Sequence, residues 1–237
     1  MERLLEQAPR FFTAPNLAFL AEAAGLTLML TGLGCGIGFV AAFVLVFVRR
    51  TPGLWAMPLR VLVIAYVEIF RRIPFLVILY LVVFFIQAFV ARASLFSIAV
   101  VAICLYATAY SAEIIRAGLE SVPRQQVEAA TAMNLGRLRT LFLVELPQAM
   151  PVIVPPAVAF AVAFIKDTAL VSQIGVFELT FRARELNNQG FSPMLVFGTV
   201  AFVYFLISYP LTRLGQHLES RLAASRSRRP LRPLRPA

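Results

Sequence analysis

A chain of 237 residues has room for one or two water-soluble domains, but 60% hydrophobic residues, 14% charged residues and a mean hydropathy of +0.81 exclude that class. The net charge of +10 invites a nucleic-acid reading, which its placement excludes: the excess lies in short segments flanking apolar runs and in the stretch Arg221 to Arg235, the arrangement that orients membrane proteins. Lys166 is the only lysine, in FIKDT, so no Walker A loop exists here, and the single histidine, His217, removes HExxH zinc sites, bis-histidine haem and His-based triads.

In chain order, residues 1–22 form an N-terminal segment. Five runs free of Asp, Glu, Lys and Arg follow: 23–48, 73–91, 93–112, 146–165 and 186–212. Each approaches or exceeds the roughly 18–20 residues that cross a bilayer core as a helix. The expected fold is therefore all-α, an integral membrane helical bundle of about five transmembrane helices over 23–219, followed by a disordered basic tail over 220–237 that is attracted to anionic lipid. The first run is too long for a signal-peptide core, and MERLLEQAPRFF supplies no basic lead into it. Gly32 and Gly36 share one helix face and Gly34 and Gly38 nearly the opposite one, which predicts packing on two sides. Cys35 and Cys104, inside apolar runs, read as small buried residues.

Residues 55–90 form one tilted or broken span, kinked near Ile73 and Pro74. Pro147, Pro151, Pro155 and Pro156 crowd the start of the fourth span and should bend it. Ser192 and Pro193 read as cap and first residue of the last. An odd number of crossings separates the termini. The positive-inside rule places the C-terminus in the cytoplasm, with the loops carrying Arg49, Arg50 and Arg60 and then Arg124, Arg137 and Arg139, and leaves the N-terminus and loop 166–190 outside.

The cytoplasmic loop 119–147 reads as ordered. Pro123 opens a helix through Met133, Asn134 supplies a left-handed stop, and a second helical pattern runs from Gly136 with Leu138, Leu141, Phe142 and Val144 available to one side. Glu128, Ala129, Ala130, then three residues, Asn134, nine residues, Val144, Glu145, Leu146 and Pro147 resemble the E-A-A-x3-G-x9-I-x-L-P loop of permease subunits of binding-protein-dependent ABC importers. YVEIFRRIPFLV (66–77), SAEIIRAGLESVPRQQVEAA (111–130), LPQA (146–149) and IKDTALVSQIGVFEL (165–179) narrow the resemblance to polar amino-acid permeases of the histidine, glutamine and arginine type. The sequence departs from the pattern at Asn134, Arg72, Gln125, Ala117 and Ala169.

The resemblance implies a type I ABC importer transmembrane domain in a bacterial inner membrane. It implies no catalytic group in this chain, with ATP and Mg held by a partner ATPase dimer, a second permease subunit that is a copy or a homologue, and an extracytoplasmic binding protein that delivers a polar amino acid. Coupling to the ATPase would fall to Glu128, Ala129, Ala130, Asn134 and Gly136, with Ala129, Ala130 and Ala132 as a small-residue docking surface and Glu128 fixing register.

Charges at membrane depth ask for partners or a wet pathway. Glu68 lies three and four residues before Arg71 and Arg72, so either an internal ion pair forms or one arginine faces the substrate route and attracts a carboxylate. Lys166, Asp167 and Thr168 form either a pair capping the helix end or a contact set for an amino-acid zwitterion. Glu113 and Arg116 read as an interhelical brace, and Glu178 as a contact for the binding protein or an outer gate. The competing classes are an ion-coupled secondary transporter using Glu68 or Asp167, which should show internal repeats, and a redox-complex subunit, which one histidine makes a poor fit. Methionine- or peptide-type permeases would share the loop but lack the 66–77 and 165–179 segments.

Overall fold

The computed structural model describes residues 2–227, and side chains over 6–222. Among these residues every regular element is helical. A short helix α1 (Glu2–Phe11) turns at Thr13 into α2 (Ala14–Arg49). The helix that carries the first apolar run therefore begins at Ala14, ahead of residue 23. Pro15 falls in the first turn, where its missing amide has no partner to lose, and the one charge at Glu22 is exposed.

Helices α3 (Met57–Arg72) and α4 (Phe75–Phe89) are bent by 117° at the break between them. The expected kink is in place but far sharper than a tilt. The residue before a proline is driven out of the helical region; Ile73 accordingly sits at φ −90°, ψ 133°, and Pro74 itself at ψ 139°, so two consecutive residues leave the helix. Then come α5 (Leu95–Glu120), α6 (Arg124–Ala132) and α7 (Arg137–Thr140), a π turn over Leu141–Glu145, and α8 (Leu146–Asp167). A 3₁₀ turn over Thr168–Ile174, α9 (Leu179–Asn188) and α10 (Pro193–Ser227) complete the described chain. Four stretches are long and apolar enough to cross a membrane, Ala14–Arg49, Leu95–Glu120, Arg137–Ile174 and Pro193–Leu222, and the bent α3–α4 pair makes a fifth.

One expectation about the ends of helices changes. Pro151, Pro155 and Pro156 lie inside α8. Ahead of Pro147, whose ring crowds the carbonyl four residues back, the chain widens into the π turn, where the Leu146 amide donates to the Leu141 carbonyl. The first part of the basic tail, 220–227, continues α10 as helix; the remainder, with Arg228, Arg229, Arg232 and Arg235, lies outside the described residues.

Three apolar clusters are stacked along α2. Leu20 and Ala23 pack with Phe11, Leu179, Leu186 and Val196; Leu30 and Cys35 with Phe75, Leu79, Ile103 and Phe164; Ala42 and Val46 with Val63, Val67, Ile115 and Ile153. α3 thus joins one cluster and α4 the next. The α2–α5 contact rests on Gly34 and Gly38: a Cβ on Gly34 would collide with Ile103 Cγ2, and one on Gly38 would stand 2.8 Å from Ala107 Cβ. Gly32 and Gly36 have nothing within 4 Å. They open instead onto a groove of about 440 Å³ bounded by Val154, Ala157, Val158 and Leu211, so α2 is closely packed on one glycine face only.

Candidate functional site

The loop between α5 and α8 folds as its residues require. Pro123 precedes α6 and cannot extend it backwards. After Ala132 the chain reaches Asn134 at φ 58°, the only non-glycine with positive φ among the described residues, and Asn tolerates that conformation better than most side chains. The Leu135 amide then donates to the Ala130 carbonyl at 3.1 Å, closing the stop. Gly136 is extended and starts α7, with open space where a Cβ would be. Glu128, Ala129 and Ala132 are exposed, as are Met133, Leu138 and Phe142. Ala130 is not: at 1% exposure it faces its own bundle. It therefore leaves the expected docking surface.

The base of this loop is tied to its neighbours by contacts that spacing did not reveal. Arg50, at the end of α2, forms an ion pair with the buried Glu145 of the π turn. The Arg137 guanidinium lies 4.6 Å from the centre of the Phe47 ring and donates to the Phe47 carbonyl at 3.2 Å. Gln148 of α8 donates to Gln126 of α6. A cavity of about 460 Å³ lies among these contacts, lined in part by Phe43, Val127, Thr131 and Leu135.

Of the charges at depth, Glu68 pairs with Arg72 at 2.7 Å, both well exposed, which is the internal ion pair. Arg71 turns elsewhere, to Glu113 at 3.9 Å and over the Tyr110 ring at 5.7 Å. Glu113 also holds Arg116 and lies 3.6 Å from Arg49. The brace is thus wider than the Glu113–Arg116 pair: one carboxylate gathers arginines from α2, α3 and α5. Beside Arg71, Tyr110 stacks on Phe160 at 5.2 Å and lies tilted against Tyr106 at 4.6 Å, a partly open aromatic face that sequence reading did not single out.

Lys166 and Asp167 are exposed, and among the described residues no ion pair within 4 Å joins them, so the capping pair does not form. Thr168 is fully buried and its hydroxyl donates to the Ile165 carbonyl at 2.6 Å; it is turned into the core and leaves the candidate contact set. The backbone at this point tightens from α to 3₁₀ and stops at Gly175, φ 91°.

Glu178 is likewise corrected. It is 0% exposed and caps α9, accepting from the Phe181 amide at 2.8 Å and from the Tyr204 hydroxyl at 3.0 Å. No face of it is left for a binding protein. Burial pushes its carboxyl above the ordinary range, and those donors with Arg184 only partly offset the push.

A sequence profile described as "Binding-protein-dependent transport system inner membrane component" matches residues 34–224. The L-cystine transport system permease protein TcyB of Bacillus subtilis (strain 168) is 36% identical over 83% of this chain and 83% of its own length. The probable glutamine ABC transporter permease protein GlnP of the same organism is 33% identical over 68% of this chain and 75% of its own. A crystal structure of an amino acid ABC transporter with histidines has a TM-score of 0.80 at 26% identity, covering 92% of this chain and 98% of that one.

Proposed function

The chain belongs to the family of binding-protein-dependent transport system inner membrane components, and from that membership we propose that it is the multi-pass permease subunit of an ATP-driven importer of a polar amino acid. A permease of this family is one part of a several-component system. The reading adds the specific parts: an ATPase dimer that holds ATP and Mg and docks on α6, a second permease subunit, and an extracytoplasmic binding protein that hands over the substrate.

The observation that carries this reading is the exposed face of α6. Glu128 and Ala129 stand free in front of the Asn134 stop while Ala130 anchors the helix from behind. A helix presented in this way offers a charge for register and a small residue for close approach. Closure of the ATPases would displace it and, through α5 and α8, rock the spans between inward and outward access. For the substrate route, Arg71 beside Tyr110 and Phe160 is the best-placed group: a guanidinium attracts an α-carboxylate, and the aromatic faces accept an ammonium or an apolar side chain. Lys166 and Asp167 are exposed at the C-terminal end of α8, and the Glu68–Arg72 pair neutralises itself.

Purification of the chain from its native membrane in mild detergent tests the proposal. A P-loop ATPase identified by mass spectrometry with the native chain, and lost with Glu128→Lys, is the expected result. A stable chain with no ATPase in either sample would overturn the importer reading in favour of an ion-coupled carrier.

A further inference from the structure

A coupling loop must pass motion to the spans, and its covalent continuations into α5 and α8 are two routes. The structure contains a third. Glu145 lies between the loop helices and α8, at 5% exposure, and its partner Arg50 caps the C-terminus of α2, which the chain joins to the loop only by way of α3, α4 and α5. Arg137, at the start of α7, grips the same end of α2 through the Phe47 ring and carbonyl. The short segment 137–145 is therefore fastened to α2 at both of its ends. Beneath α6 the packing is loose, because the cavity of about 460 Å³ separates Val127, Thr131 and Leu135 from Phe43 and Phe47. Motion of α6 meets little resistance there, whereas motion of the π turn carries α2 with it. A buried carboxylate that lost this ion-pair partner would be strongly disfavoured, so the two groups stay together while their helices move. Residue 145 also falls at the unspecified position of the I-x-L-P pattern, so the resemblance does not call for a carboxylate there.

We infer that Arg50 and Glu145 are positioning residues that make α2 and the π turn move as one body, delivering displacement of α6 to the first span as well as to α8. The inference rests on the importer reading.

The test uses the complete transporter in proteoliposomes, with two readouts: ATPase retained on the permease, and substrate moved per ATP hydrolysed. Glu145→Gln and Arg50→Gln should keep the ATPase but lower the transport ratio about five-fold or more, the size of a modest coupling energy. The reversed pair, Arg50→Glu with Glu145→Arg, should recover most of it. A pair that serves stability alone would lower yield and leave the ratio unchanged, which overturns the inference. Should the single variants fail to fold, Arg50→Cys with Glu145→Cys, in a Cys35→Ala, Cys104→Ala background, is joined by a short reducible bis-methanethiosulfonate cross-linker that replaces the ion pair by a covalent link. The linked form should transport at the native ratio and the reduced form should not; loss of transport on linking means that the two sites must separate, and the inference falls. If the native chain retains no ATPase, the importer reading fails and takes the inference with it, whereas an assembled complex indifferent to these changes sinks the inference alone.

Discussion

Glu178 shows how far one side chain can move from its sequence reading. A carboxylate in a polar-looking loop motif suggests an exposed contact, but this one is enclosed by α2, α9 and α10, with Tyr204 and the Phe181 amide as its donors and Thr27 bonded to the neighbouring Leu179 amide. Because burial raises its pKa above the ordinary 4.5, the folded protein holds this proton to higher pH than the unfolded chain does. Its contribution to stability is complete below the unfolded value and declines as pH rises through the folded one. Glu178→Gln, which keeps a neutral acceptor at all pH, should therefore gain in thermal midpoint relative to the native chain as pH rises above the unfolded value of 4.5; a difference that stays flat, or falls, would mean that the carboxylate is ionised in the folded state. The charge pairs divide in the same way between readable and hidden. Glu68 with Arg72 is decided by the geometry of one helix and was legible from spacing. Arg49 and Arg71 with Glu113, and Arg50 with Glu145, depend on how separate helices cross, which spacing along the chain does not encode. Thr168 was misread because a hydroxyl can satisfy itself on the carbonyl one turn back and then be buried.

The elements were most legible where a residue type has few conformations open to it. Pro74 had to break the helix, and Asn134 stood where a left-handed residue was needed, so both breaks were placed correctly. The angle at Pro74 was not readable, since it is set by α3 joining the Ala42 cluster and α4 the Leu30 cluster. The glycines of α2 give a matched test of how packing, rather than motif, decides their role. An added methyl at Gly34 meets Ile103, whose β-branched side chain has little room to yield on the facing helix. Gly34→Ala should thus destabilise the detergent-solubilised chain by about 1–3 kcal/mol, the usual cost of overpacking. Gly36→Ala adds its methyl to open space and should leave the midpoint unchanged or raise it, as loss of a mid-helix glycine is worth about 0.5–1 kcal/mol. Equal losses at both positions would show that the Gly36 face is also covered in the isolated chain.

At the scale of the whole molecule, counting apolar runs leaves orientation open, because a bent pair can be one crossing or a re-entrant hairpin and the two differ in parity. The geometry resolves the relative placement of the ends. Gln7 of α1 bonds the Gly190 carbonyl and the Ser192 amide, so α1 lies at the α9–α10 end of the bundle. Arg50 and Glu145 place the α2–α3 loop and loop 119–147 together at the other end, towards which the 35-residue α10 runs. The two ends also differ in charge. Arg49, Arg50, Arg60, Arg124, Arg137 and Arg139 collect around loop 119–147, whereas Arg182 at the α9 end is paired with Glu185. Positive-inside bias then predicts that loop 119–147 lies in the cytoplasm, the side where nucleotide is found, and α1 outside. Single cysteines in a Cys35→Ala, Cys104→Ala background test this directly: in intact cells a membrane-impermeant maleimide should label Gln189→Cys, and reach Arg139→Cys only after permeabilisation. The reverse pattern would turn α6 away from cytoplasmic ATP, and an importer driven from that helix could not work.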